Sequence, residues 1–252
     1  MSLEVIGSVI TNTEIAPNIY DMLIKTDMAD KCKPGQFANI LCEGGSALLR
    51  RPISICNAGN DTVRIIFEKK GDGTKLLSEY KEGQSINMLI PLGHGFDLGD
   101  FENPVIVGGG IGVPPLLYLA ERVKNPSIFL GFRSKSNIIL KDEFEKCGNT
   151  VISTDDGSFG HSGLITVPLK EHLENNKCDV IMACGPTPML KGIAALAKEF
   201  GIPCQVSMEQ RMACGIGACL VCACKTKNKD GENFSHVCKD GPVFNAAEVF
   251  FE

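Results

Sequence analysis

The sequence has no excess of basic residues: 25 Lys and Arg stand against 30 Asp and Glu, for a net charge of -5 over 252 residues. Such a balance offers nothing to a phosphate backbone or an anionic membrane surface, so nucleic acid is excluded as the expected partner. Long hydrophobic runs are also missing. The longest uncharged stretch, Asn103 to Ala120, is interrupted by Gly108, Gly109, Gly110, Gly112, Pro114 and Pro115. It falls short of the roughly 20 apolar residues a spanning helix needs, so no membrane segment is expected. The opening "MSLEVIGSVITNTEIAP" has no basic segment before its apolar residues, carries Glu4 early and alternates like a strand. No secretory leader is expected, and the cytoplasm is the expected location. Neither an internal repeat nor a low-complexity tract is found. With 44% hydrophobic and 22% charged residues, the chain is neither disordered nor fibrous and has room for two compact domains plus a small appendage.

What the sequence does have is cysteine, twelve in all. In a chain this long with no leader, that number points to metal binding or catalysis rather than to a disulfide scaffold. Cys32, Cys42, Cys56, Cys147, Cys178 and Cys204 are scattered among apolar neighbours and read as small core residues. The C-terminal group, in "RMACGIGACLVCACK" (211–225) and "HVCKDGPVF" (236–244), is organised.

Three segments follow one another. Residues 1–100 hold short strand candidates, "LEVIGSVITN", "IYDMLIKT", "FANILC", "PISIC", "TVRIIFE" and "SINMLIP", with turns at "KPGQ", "CEGG", "AGND" and "KGDG". They predict a small antiparallel β-barrel, with one helix at "GTKLLSEY" that Thr74 would cap. Residues 101–208 alternate apolar strands with helical stretches, as in "PVIVGGGIG" then "VPPLLYLAERVKN" and "DVIMACGP" then "TPMLKGIAALAKEFG". This predicts an α/β domain with a parallel sheet. In residues 209–252 regular periodicity disappears, and so short a segment needs a staple such as a metal centre.

Several strings suit cofactors. In "RRPISI" (50–55), Arg51 can offer its guanidinium fork to a diphosphate while Ser54 reaches a flavin ring edge, on the expectation that alternation places both on one strand face. In "KKGDGTKLLS" (69–78), Gly73 permits close backbone approach and Thr74 opens a helix suited to phosphate. Each alone is equally a surface strand or a glycine turn. "VIVGGGIGVPPLLYLA" has the strand, glycine loop and helix of a nucleotide site, yet after Gly108, Gly110 and Gly112 come Val113 and Pro114. The usual G-x-G-x-x-G fingerprint is therefore absent. "ACGPTPML" puts Cys184 at a strand end, either touching a nicotinamide or simply buried. In "STDDGSFGHSG", Asp155 and Asp156 could hold ribose hydroxyls and repel a 2'-phosphate, favouring NAD over NADP, or form a solvated turn.

Cys214, Cys219 and Cys222 have the spacing C-x4-C-x2-C, and Cys238 follows after fifteen residues. This is the local spacing of a plant-type [2Fe-2S] site with a shorter gap to the last ligand. Gly215 and Gly217 supply the positive φ angles that wrap a loop around a cluster and free its amides for sulfur. Four thiolates also suit zinc, although zinc sites usually show two C-x2-C knuckles. Cys224 is left over and reads as a packed thiol beside the ligands.

The order of these motifs resembles the ferredoxin-reductase superfamily. More narrowly, "RRPISI", "GGGIGVPPLLYLA", "TDDGSFGHSG", "CGPTPML", "RMACGIGAC" and "VCKDGPVF" resemble, essentially end to end, the electron-transfer subunits of NAD-dependent class B dihydroorotate dehydrogenases. The resemblance implies that Arg51, Pro52, Ile53, Ser54, Ile66, Phe67, Glu68, Gly73 and Thr74 hold FAD. It implies that Gly108, Gly109, Gly110, Gly112, Cys184, Gly185 and Pro186 line the NAD site, and that Cys214, Cys219, Cys222 and Cys238 hold a [2Fe-2S] cluster. A nicotinamide exchanges two electrons as hydride and a cluster exchanges one, so FAD would stand between them. The resemblance further implies a separate FMN-containing catalytic subunit that oxidises dihydroorotate for pyrimidine biosynthesis, in a heterotetramer of two of each subunit. Three modules leave no room here for an orotate-binding barrel of about 250 residues. Similar modules serve hydrogenase, sulfide dehydrogenase and transhydrogenase complexes, and a zinc-stapled interaction subunit without redox activity is the reading from another class.

Overall fold

A computed structural model describes residues 3–42, 44, 48–228 and 231–251. Its first part is a closed barrel of six antiparallel strands: β1 (Leu3–Ala16), β2 (Ile19–Lys25), β3 (Phe37–Leu41), β4 (Arg51–Gly59), β5 (Thr62–Glu68) and, after helix α1 (Asp72–Ser78), β6 (Ser85–Leu92). They close in the order β1-β2-β5-β4-β3-β6. Alternation builds it. In β6, Ile86, Met88, Ile90 and Leu92 are buried while the residues between them are not, so one face fills the barrel with Met22, Ile24, Ile40, Ile55 and Ile65 and closure leaves no free edge. Leu77 of α1 is fully buried in that core. Thr74 is not the cap of α1: Gly71 is, and the Thr74 hydroxyl sits one turn in, accepting from the N–H groups of Lys70 at 2.9 Å and Gly71 at 3.2 Å. Of the turn at "CEGG", Glu43 and Gly45 lie outside the described residues.

The second part contains β7 (Pro104–Gly109), α2 (Pro114–Ala120), β8 (Ser127–Phe132), α3 (Lys141–Cys147), β9 (Asn149–Thr154), β10 (His161–Ser162), α4 (Thr166–Asn175), β11 (Val180–Cys184), α5 (Thr187–Phe200) and β12 (Cys204–Ser207). The strands are parallel in the order β10-β9-β8-β7-β11-β12. The chain winds outward from β7 to β8 and β9, then returns beside β7 as β11. The gap between the C-terminal ends of β7 and β11 is therefore the topological switch point, where open α/β sheets bind ligands. Helix α2 ends sooner than the stretch "VPPLLYLAERVKN" suggests, because Arg122 and Val123 donate to Leu119 and tighten the last turn.

The C-terminal segment holds more regular structure than its composition predicts. A hairpin of β13 (Ala223–Asn228) and β14 (Gly231–His236) follows the cysteine loop, and β15 (Val243–Asn245) pairs antiparallel with β12 at the edge of the main sheet. Most of β14 is exposed on both faces, so no alternation marks it in the sequence. Barrel, sheet and cysteine loop share one packed cluster: Phe37 and Leu92 join Val107, Ile181 and Val206, and also Cys222, Val237 and Cys238.

Candidate functional site

Arg51 opens β4 and Gly73 lies near the start of α1; the fold brings them into contact. A Cβ on Gly73 would lie 2.5 Å from the Arg51 guanidinium carbon, so glycine is what lets that side chain lie over the helix start. The guanidinium is held partly by the Leu49 carbonyl. Cross-strand pairs set the faces: Arg51 opposes Ile40, Pro52 opposes Asn39, Ile53 opposes Ala38 and Ser54 opposes Phe37. Being three apart, Arg51 and Ser54 lie on opposite faces of β4 rather than on one, which corrects the expectation from alternation. Pro52 and Ser54 share the outer face with Asn39 and Phe37. Of the β5 residues, Ile66 and Phe67 are buried and Glu68 is exposed. Phe67 stacks on Tyr20 with ring centroids 5.7 Å apart, and β5 packs against the 3-10 turn Gly110–Gly112 of the second part.

That turn stands at the switch point. A Cβ on Gly112 would lie 2.6 Å from the Cys184 carbonyl and from Gly185, and one on Gly109 would strike the Met189 sulfur and Pro186. Gly110 has φ +53°. Only glycines fit where these two strand ends meet. Gly108, Gly109, Gly110, Gly112, Cys184, Gly185 and Pro186 are thereby gathered at one place. Burial pushes the Cys184 thiol up to about 12, against a smaller opposite effect of Ser207, so it is a neutral thiol at physiological pH. Asp155 and Asp156 follow β9 on the same edge of the sheet, two strands from β7. The Asp156 carboxylate accepts from the Ser158 hydroxyl at 2.6 Å and N–H at 3.0 Å, which lowers its pKa.

The cysteines form two pairs. Cys222 and Cys238 are buried with their sulfurs 3.2 Å apart, too far for a disulfide. Cys219 lies beside Cys214 and lowers its pKa. Among the described residues, no three His, Cys, Asp or Glu side chains gather around one point. Backbone amides are aimed at the sulfurs: Ala218 N–H at 3.2 Å and Ile216 N–H at 3.5 Å from Cys214 Sγ, and Gly217 N–H at 3.1 Å from Cys238 Sγ. Gly215 and Gly217 reach this geometry at φ +72° and +80°. Burial raises the Cys214 pKa, but the Ile216 amide, Cys219 and the Ala218 amide together bring it down to about 6. Burial and the neighbouring Cys222 push Cys238 up to about 12. Two pairs with amide donors suit two irons, two thiolates on each, better than one tetrahedral zinc. Cys224 is buried opposite Ser235 in the hairpin and packs into the shared core, with burial raising its pKa.

Sequence reasoning missed two connections. Arg64 of β5 makes a two-toothed pair with Asp21 of β2 at 2.7 and 3.0 Å and reaches Glu143 of α3 at 2.6 Å, tying barrel to sheet. Asn39 of β3 lies against the Cys214 loop. Each is a polar residue within an apolar run, Arg64 in "VRIIF" and Asn39 in "FANILC", and that was the available signal.

Residues 209–250 match the family described as the iron-sulfur cluster binding domain of dihydroorotate dehydrogenase B. The chain is 40% identical to the electron transfer subunit of dihydroorotate dehydrogenase B (NAD(+)) of Caldanaerobacter subterraneus subsp. tengcongensis, covering 96% of this chain and 97% of that protein. It is 44% identical to the subunit of the same name from Fusobacterium nucleatum, covering 96% of each. Among solved structures, a chain of an NADH-dependent reduced ferredoxin-NADP oxidoreductase, studied for flavin-based electron bifurcation, superposes with a TM-score of 0.88 at 29% identity, over 97% of this chain and 90% of that one. A ferredoxin NADP+ reductase from Neisseria gonorrhoeae with bound FAD and NADP shares the fold, at a TM-score of 0.66 and 19% identity over 79% and 92% of the two chains.

Proposed function

Because the chain belongs to the electron transfer subunits of dihydroorotate dehydrogenase B (NAD(+)), we propose that it carries electrons from the FMN of a catalytic partner, through a [2Fe-2S] cluster and FAD, to NAD. The chain is an oxidoreductase subunit with FAD, [2Fe-2S] and NAD as its cofactors. When bound, FAD supplies the exchange between hydride and single electrons that neither a nicotinamide nor a cluster performs alone.

Residues 1–100 form the FAD module in this reading, 101–208 the NAD module and 209–252 the cluster module. Arg51 holds the FAD diphosphate over Gly73 and the start of α1, Thr74 orders that turn, Pro52, Ile53 and Ser54 border the ring, and Ile66, Phe67 and Glu68 bound the site from β5. Gly108, Gly109, Gly110 and Gly112 leave room for the NAD diphosphate at the switch point. Cys184, Gly185 and Pro186 face the nicotinamide, and the neutral Cys184 thiol packs there without acting as a nucleophile. Asp155 and Asp156 hold the adenosine ribose and disfavour a 2'-phosphate. Cys214 with Cys219 and Cys222 with Cys238 hold the cluster, and Cys224 is not a ligand. The observation that carries the reading is the arrangement of the thiols as two pairs under backbone amides.

The catalytic partner carries FMN and forms a two-plus-two heterotetramer with this chain. Exposed Ile216, Leu220 and Val221 around the cysteine loop supply an apolar rim for it. Among the described residues no helix is long and apolar enough to cross a membrane. All twelve cysteines are free, which supports a cytoplasmic location. The test is reconstitution with the co-expressed catalytic subunit: dihydroorotate should reduce NAD only when both chains are present. Co-purification with a hydrogenase or glutamate-synthase-like subunit, with no response to dihydroorotate, would contradict it.

A further inference from the structure

The C-terminal segment packs over β3 and the end of β6. Ala38 and Ile40 point into the barrel core, while Phe37 and Asn39 face outward. Phe37 shares a packed cluster with Cys222, Val237 and Cys238. Asn39 reaches the other cysteine pair: its Nδ2 is 3.5 Å from the Cys214 carbonyl, and a Cβ on Gly215 would fall on that nitrogen. Two successive outward residues of one strand thus face the cysteine segment, Asn39 at the Cys214–Gly215 backbone and Phe37 in the cluster that holds Cys222 and Cys238. Across the strand pair, Asn39 opposes Pro52 and Phe37 opposes Ser54, so the same face continues directly into β4.

The Asn39 side chain is an unusual choice for barrel stability. The residue is fully buried, and among the described residues its side chain makes one long bond and its Oδ1 has no partner. A buried amide left in this state costs free energy, and an apolar residue of the same shape would be equal or better for folding. Retaining a polar group in such a place is explained when it fixes one arrangement among several. The alternative amide orientation would set Oδ1 against the Cys214 carbonyl, oxygen to oxygen, which leaves Nδ2 as the atom facing the loop. We propose that Asn39 is a positioning residue of the electron path: it docks the Cys214–Cys219 loop onto the outer face of β3, beside Pro52 and Ser54, and so fixes the spacing between cluster and flavin. The inference rests on the cofactor reading above. One electron at a time crosses this spacing, lost by the flavin and gained by the cluster when NADH is the donor, and in the opposite direction when dihydroorotate is.

The test uses the complex with its catalytic subunit, loaded with FAD and cluster, as wild type and as Asn39→Leu. NADH is mixed in anaerobically, and the flavin and cluster absorbances are followed separately, with the EPR spectrum of the reduced cluster and the melting temperature. Flavin bleaching and melting temperature are expected to match wild type. Cluster bleaching is expected to slow several-fold relative to wild type, with an altered EPR spectrum. A variant that melts lower while its cluster is reduced at the wild-type rate with an unchanged spectrum would overturn the positioning role and leave the cofactor reading intact. A wild-type complex lacking either chromophore would overturn the cofactor reading itself.

Discussion

Replacing Gly73 by alanine tests whether the fold brings Arg51 and the start of α1 together for a diphosphate. The new methyl would fall nearest Arg51 Nε and 2.5 Å from the guanidinium carbon, whereas such contacts settle at about 3.5 Å, so the guanidinium must recede by at least about 1 Å. Because the obstacle is the end of a flexible side chain, the backbone does not need to move. Gly73 lies inside α1, where alanine is favoured by up to about 1 kcal/mol, so the protein without cofactor should melt at the same temperature or higher. A hydrogen bond from the guanidinium to phosphate, lengthened by 1 Å from about 2.8 Å, passes beyond bonding distance. Losing one such charge-assisted bond costs about 1.5 to 3 kcal/mol, or roughly ten- to hundredfold in affinity. Titration of the flavin-free chain with FAD, followed by flavin fluorescence, measures this directly. FAD affinity within twofold of wild type would refute the pairing of Arg51 with Gly73 as the diphosphate site.

Arg64→Met removes the tie between β2, β5 and α3. The three side chains are 21, 20 and 38% exposed, so the loss is smaller than for a fully buried pair, about 2 kcal/mol in urea unfolding; a loss under about 0.5 kcal/mol would count against a structural tie. Burial raises the thiols of Cys32, Cys178, Cys184 and Cys204 from 9.0 to about 12. Their folded pKa values exceed the unfolded ones, so the stability they contribute is full below pH 9 and is lost as pH rises toward 12. The melting temperature of the cofactor-free chain should therefore fall steadily above pH 9, and a flat profile would contradict this burial. Leu220 is 65% exposed in the left-handed region at φ +62°, a conformation asparagine adopts more readily. Leu220→Asn should leave the iron content intact, yet weaken recovery of the catalytic subunit in co-purification; undiminished recovery would remove Leu220 from the partner face.

The barrel and the parallel sheet were legible in the sequence because their strands alternate or run apolar in strings bounded by turns, as in "SINMLIP" and "DVIMAC". The ligand thiols were legible from spacing, since a local loop sets the positions of Cys214, Cys219 and Cys222. Faces were less legible. Arg51 and Ser54 were expected together, but an odd separation divides them, and it is Gly73, distant in sequence, that meets Arg51. β15 could not be read, because three residues gain a sheet edge only from their register with β12. Asn39 stood in plain view as a polar residue in "FANILC", yet its burial comes from a loop some 175 residues away, a contact no local pattern encodes.

Whether one chain joins a two-iron cluster to a flavin and a nicotinamide is decided by measuring iron, acid-labile sulfide, zinc and flavin in the anaerobically purified chain, before and after addition of NADH. About two iron, two sulfide and one FAD per chain with no zinc are expected, with both absorbances bleaching on NADH and iron lost when Cys214, Cys219, Cys222 or Cys238 is replaced by serine but not when Cys224 is. Stoichiometric zinc without flavin, or full iron retention when Cys238 is replaced, would contradict it.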